Sequence, residues 1–181
     1  MSSSDDRFVD LYENFYSPVY AYCRRRTEPD VAEDVTAETF LIAWRKIDLV
    51  PRGSEILPWL YGVAYRVIGN QWRSTRRGRK LHEKLSAIGY ETPAAPETVI
   101  VTNQESRQVV AALDSLKPID REILMLAAWE ELPQADIAVT LQISGEAVRQ
   151  RLHQAKKNLT RAHDRLSRPS LASRITRGGG S

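Results

Sequence analysis

The 181-residue sequence predicts an all-α protein, with two small helical domains joined by a flexible linker. Two observations carry that expectation. Apolar residues recur at helical steps of three and four along residues 5–77 and again along 100–159, with no alternating strand pattern and no internal repeat. Between them, "LSAIGYETPAAPET" (85–98) replaces periodicity with glycine, two prolines and small residues, the composition of a linker.

Each helix has its own signals. Residues 5–23 place Phe8, Leu11, Tyr12, Phe15 and Val19 on one face. Residues 30–47, "DVAEDVTAETFLIAWRKI", begin with acids and end with Arg45 and Lys46, as the helix dipole favours, and Asp30 is the expected N-cap. "DLVPRGSEILP" then breaks the pattern. Residues 58–77 read as a third helix with Pro58 in the first turn and Trp59, Val63 and Val67 toward the core. After the linker come helices over 100–114 and 118–130, a short one over 133–142, and one that starts after Ser144 as N-cap. The tail "RPSLASRITRGGGS" has no periodicity.

Net charge is only +3, yet the charges are segregated. Residues 28–38 hold five acids and no base, whereas 66–84 and 149–168 each hold seven bases and one acid. Two separated basic zones point to two contacts with a polyanion. Cys23 is the only cysteine, which excludes an internal disulfide and fits a reducing compartment. The acidic start "MSSSDDRF" lacks a signal-peptide core, and no apolar run reaches the ~18 residues of a membrane span. The expected location is the cytoplasm, with no membrane insertion.

Three stretches can carry function. "PQADIAVTLQ", "IS" and "GEAVRQRLHQAKKNL" have the form of a helix-turn-helix. The first helix buries Ile137, Ala138 and Leu141, and the second buries Val148 and Leu152. The second presents Arg149, Gln150, His153 and Gln154, suited to base edges in a major groove, with Lys157 toward phosphates. The turn position that favours glycine holds Gln142, at a cost of roughly 1 kcal/mol. An ordinary solvated bundle helix is the alternative.

"WLYGVAYRVIGNQWRSTRRGRK" interleaves Trp59, Tyr61, Tyr65 and Trp72 with Arg66, Arg73, Arg76 and Arg77, a pattern that suits stacking and backbone contact with single strands. A core helix with a basic end is the competing explanation, and periodicity does not decide which of Tyr61, Tyr65 and Trp72 is exposed. "EDVTAETF" is read as a solvated face or a docking surface for a basic partner. The histidines at 82, 153 and 163 lack metal-ligand spacing, and no phosphate loop, dinucleotide motif or serine elbow is present. No cofactor, metal or catalytic residue is expected.

In order, these stretches resemble the extracytoplasmic function (ECF) sigma factors of the sigma-70 family. "DVAEDVTAETFLIAWRK" is similar to the family's D-A-E-D-x-x-Q-E-T-F-x-x-A-W, and "PWLYGVAYRVIGNQWRSTRR" to its W-L-x-x-I-A-R-N helix. The resemblance covers about residues 8–166. It implies a sigma-2-like domain over 5–82, a linker over 83–102, a sigma-4-like domain over 103–166 and a flexible tail over 167–181. Asp34, Val35, Glu38, Thr39 and Arg45 would dock on the β′ clamp helices of core RNA polymerase, and the polymerase β subunit is a second implied contact of the protein. Tyr65, Arg66, Asn70, Gln71, Arg73, Arg76 and Arg77 would melt and read the −10 element. Arg149, Gln150, His153, Gln154 and Lys157 would read the −35 duplex. Promoter DNA and an anti-sigma protein are the further implied partners, and polymerase would do the chemistry. Three positions depart from the pattern: Arg66 stands for the family's asparagine, Ala37 for its glutamine, and Gln154 for a common arginine. A stand-alone helix-turn-helix regulator is the second reading, and it would need neither the acidic nor the aromatic–basic helix.

Overall fold

The computed structural model describes residues 3–85 and 104–167. Among them the only regular secondary structure is helical: α1 (Ser3–Arg24), α2 (Pro29–Arg45), α3 (Ile56–Leu85), α4 (Gln104–Asp114), α5 (Pro118–Ala128), α6 (Gln134–Leu141) and α7 (Gly145–Ser167), with 3-10 turns at Ile47–Leu49 and Gly53–Glu55. The chain divides into two compact units, one holding α1–α3 with residues 135–143, the other holding α4, α5 and α7. The expected linker over 83–102 lies almost wholly outside the described residues, as does the tail from 168.

In the first unit α1, α2 and α3 pack on one another. Leu11, Val19, Val35, Phe40, Leu60 and Val67 fill the shared core. The aromatic residues at four-residue spacing on α1 form a ladder: Tyr12 meets Tyr16 at 5.1 Å and Phe40 edge-on at 5.0 Å, and Tyr16 stacks on Tyr20 at 6.0 Å. Tyr22 is buried against Tyr61 at 4.7 Å, and the Arg26 guanidinium covers its other side at 3.6 Å. Cys23 is fully buried. The Arg7 guanidinium donates to the carbonyls of Ile47, Val50 and Pro51, which ties the loop after α2 back to α1. Thr140 of α6 groups with this unit through a hydrogen bond from its hydroxyl to the Pro58 carbonyl at 3.1 Å.

Two boundaries differ from expectation. Glu28, not Asp30, is the N-cap of α2, because Pro29 takes the first helical position, where its fixed φ and missing N–H cost nothing. Asp30 falls in the first turn. Helix α3 continues to Leu85, eight residues past the expected end. Its basic end carries no apolar stripe, but Arg and Lys are good helix formers, so propensity extends the helix where periodicity falls silent.

In the second unit α7 packs on both α4 and α5. Ile123 and Leu126 of α5 and Val148, Leu152 and Ala155 of α7 are buried. Lys117 is the N-cap of α5, and Pro118 opens it. Gln142, between α6 and α7, has φ +54°, the left-handed conformation expected of it.

Candidate nucleic-acid interface

Helix α7 is built for two different surroundings. Its start is capped as expected: the Ala147 N–H donates to Ser144 Oγ at 3.1 Å. Val148, Leu152 and Ala155 recur at steps of four and three and bury one face. Arg149, Gln150, His153, Gln154 and Lys157 are all exposed on the remainder. Arg151 is different. Its Nη1 donates to Asp120 Oδ1 at 3.1 Å, and the Asp120 side chain is only 9% exposed. One basic residue of the helix is therefore committed to α5, which fixes the rotation of the exposed row. At the far end, Gln108 of α4 donates to the Leu166 carbonyl at 3.4 Å and accepts from Ser167 Oγ at 3.2 Å.

The exposed row carries its own hydrogen bonds. Arg149 donates through Nε (3.0 Å) and Nη2 (2.7 Å) to the two carboxylate oxygens of Glu146, and Gln150 Nε2 donates to the same carboxylate at 2.8 Å. The hydrogen bond from Arg149, then that from Gln150, holds the Glu146 carboxyl below its usual value, and the same bond raises the Arg149 guanidinium. Gln154 Nε2 donates to Asn158 Oδ1 at 3.0 Å.

In the first unit, Asp34, Glu38 and Arg45 are exposed on one face of α2, with Leu41 and Trp44 beside them. Val35 and Thr39 are fully buried, which corrects their assignment to a docking surface. Steps of four and three put both on the stripe that packs inside, and the Thr39 hydroxyl donates back to the Val35 carbonyl at 2.7 Å. The exposed Leu41 and Trp44 went unassigned in the sequence. Their signal was present, as apolar residues out of register with the buried stripe.

On α3, Tyr61 is buried, Tyr65 and Gln71 are half-buried, and Arg66, Asn70 and Arg73 are exposed. Trp72 is 54% exposed, which settles which aromatic faces solvent most. Arg73 Nη2 donates to Asn70 Oδ1 at 2.6 Å. Arg76 and Arg77 lie on the α3 backbone, with their side chains outside the described set. Glu38 of the docking set and Arg66 and Asn70 of the −10 set line one cleft of about 210 Å³ with Lys46, Trp59 and Val63. Desolvation there pulls the Arg66 guanidinium below its ordinary value. Among the described residues no group of His, Cys, Asp and Glu is placed to hold a metal, and no helix is long and apolar enough to cross a membrane.

Two family models match the chain in this order: "Sigma-70 region 2" over residues 11–78 and "Sigma-70, region 4" over residues 106–159. The chain belongs to the ECF group of the sigma-70 family. Its relatives agree. The RNA polymerase sigma factor YlaC of Bacillus subtilis is 29% identical over 168 residues, covering 88% of this chain and 95% of YlaC. The ECF sigma factor SigK of Mycobacterium sp. (strain JLS) is 25% identical over 158 residues, covering 85% and 81%. Among solved structures, the sigma factor RpoE in complex with the anti-sigma factor NepR, from Bartonella quintana, shares the fold with a TM-score of 0.63 at 20% identity, over 89% of this chain and 98% of that one. This ECF sigma factor is thus an alternative sigma factor for transcription initiation, and the stand-alone regulator is not favoured.

Proposed function

We propose that this sigma factor binds core RNA polymerase through the exposed face of α2, opens and reads the −10 element with α3, and reads the −35 duplex with α7. The observation that carries the reading is the exposed row Arg149, Gln150, His153, Gln154 and Lys157 on a capped helix whose rotation Asp120 holds through Arg151. Such a row matches the donor and acceptor edges of a major groove. Residues 5–82 act as the polymerase-docking and −10 domain, 83–102 as linker and 103–166 as the −35 domain. Asp34, Glu38 and Arg45 meet the β′ clamp helices, with Leu41 and Trp44 supplying apolar contact.

Exposed Asn70, Arg73 and Trp72, with Arg66 at the cleft, are the groups for the opened strand, since stacking on an aromatic ring is worth ~1–3 kcal/mol per base. Arg76 and Arg77, on the same helix, add phosphate contacts. The protein acts in the cytoplasm, needs no cofactor and carries no catalytic group, because polymerase makes the phosphodiester bonds. An anti-sigma protein that covers both domains holds it inactive; RpoE, which shares the fold, is itself in complex with an anti-sigma factor, NepR.

Run-off transcription tests this with core polymerase, with and without the protein, on DNA from its own genome. The expected result is transcripts from a few discrete starts that share −35 and −10 elements, lost on Arg149→Ala or Asn70→Ala. Tight duplex binding without polymerase, and no new transcripts, would overturn it.

A further inference from the structure

Glu146 is the only carboxylate between Ser144 and His163. It lies on the exposed side of α7, in the first turn, beside two residues assigned to base reading. A carboxylate facing DNA phosphates is repelled by them, and an exposed ion pair adds little to stability. The helix dipole favours an acid in this first turn, but that preference does not account for its hydrogen bonds to two base-reading residues. The hydrogen bonds give another account.

Arg149 meets Glu146 through Nε and Nη2, the side edge of its guanidinium. Guanidinium is planar and rigid, so fixing that edge fixes the whole group. The edge left over is the end, Nη1 with the second hydrogen of Nη2. That end is a parallel pair of donors, and it matches O6 and N7 of guanine. Gln150 uses one amide hydrogen on Glu146. It keeps the other hydrogen and its carbonyl oxygen, the donor–acceptor pair that matches N7 and N6 of adenine. The carboxylate therefore occupies the spare donors of both side chains and leaves both base-reading edges open.

We infer that Glu146 is a positioning residue for −35 recognition: it holds Arg149 end-on for guanine and Gln150 for adenine, and it lowers attraction to phosphates that carry no sequence. This rests on the base-reading role of α7 proposed above. The arrangement lies within one turn of helix and precedes DNA, so the reading edges meet the groove already ordered. Ordering the long Arg149 side chain in advance removes an entropy cost from the specific complex.

The test is selection of promoters with a randomised −35 element by holoenzyme carrying wild-type protein, Glu146→Ala, Arg149→Ala or both, followed by sequencing, with salt titrations of promoter binding by the same holoenzymes. Arg149→Ala is expected to flatten one guanine column. Glu146→Ala is expected to flatten that same column about five- to tenfold. The double variant is expected to be no flatter there than Arg149→Ala, because Glu146 acts through Arg149. Freeing one cation steepens the log–log salt slope of Glu146→Ala by about one. A Glu146→Ala logo and salt slope equal to wild type, with Arg149→Ala altered, overturns the positioning role alone. Uniform loss over every column with a lowered melting temperature overturns it too, by showing a structural role. If Arg149→Ala leaves every column unchanged, the assignment of base reading to α7 fails first.

Discussion

Removing the Asp120 carboxylate should loosen α7 without touching its exposed row. The perturbation is Asp120→Ala, with Arg151→Ala and the double variant completing a thermodynamic cycle. Asp120 Oδ1 accepts from Arg151 Nη1 at 3.1 Å, through one contact and not a bidentate fork. The acid is 9% exposed and the base 44%. Exposed pairs contribute about 0–1 kcal/mol, and breaking fully buried ones costs about 3–5 kcal/mol. A pair with one end in water sits between, at about 1–2 kcal/mol. Asp120 also lies in the first turn of α5, where a negative charge adds about 0.3–1 kcal/mol. Asp120→Ala should therefore cost about 2 kcal/mol, and the coupling to Arg151 should be about 1–2 kcal/mol. Urea unfolding gives the totals. Hydrogen exchange resolved to peptides of α5 and α7 shows that the loss is local to that pair. Coupling below about 0.3 kcal/mol, or loss spread evenly over α4, α5 and α7, would refute the reasoning.

Three further outcomes are expected. Ile123→Ala, at a fully buried position of α5, should cost about 2–5 kcal/mol by urea denaturation. Gln142→Gly should raise stability by up to about 1 kcal/mol, read as a higher melting temperature, since φ is +54° and only glycine adopts that without strain. The Glu146 carboxyl, followed by NMR, should titrate below the ordinary glutamate value and return upward in Arg149→Ala. Because the folded value is the lowered one, the link to Arg149 is present at neutral and mildly acidic pH and is lost only as pH falls through that lowered value.

The helical architecture was legible because buried faces repeat. Val148, Leu152 and Ala155 could be counted off the chain, as could the Ser144 cap and the strained Gln142. The exposed row followed by subtraction. What was not legible depended on partners distant in sequence or on choices between equivalent faces. Val35 and Thr39 belong to motif-like "EDVTAETF", and a motif does not say which of its members point inward. The commitment of Arg151 to Asp120 needed two helices to be brought together across 31 residues. Tyr61, Tyr65 and Trp72 lie on one helix at mixed spacing, and only packing against Tyr22 shows that the first is interior. The extension of α3 to Leu85 escaped because a solvated basic helix has no apolar period to detect.

The Glu146–Arg149–Gln150 set also bears on how such proteins diversify. All three side chains sit within five consecutive residues, and their geometry comes from the helix backbone alone. Nothing in it depends on neighbouring helices, so it can be transplanted as a block into another recognition helix and keep its shape. On the proposed −35 reading of α7, a lineage, or an engineer, exchanges promoter preference by replacing one turn of helix while the buried stripe and its packing stay as they are.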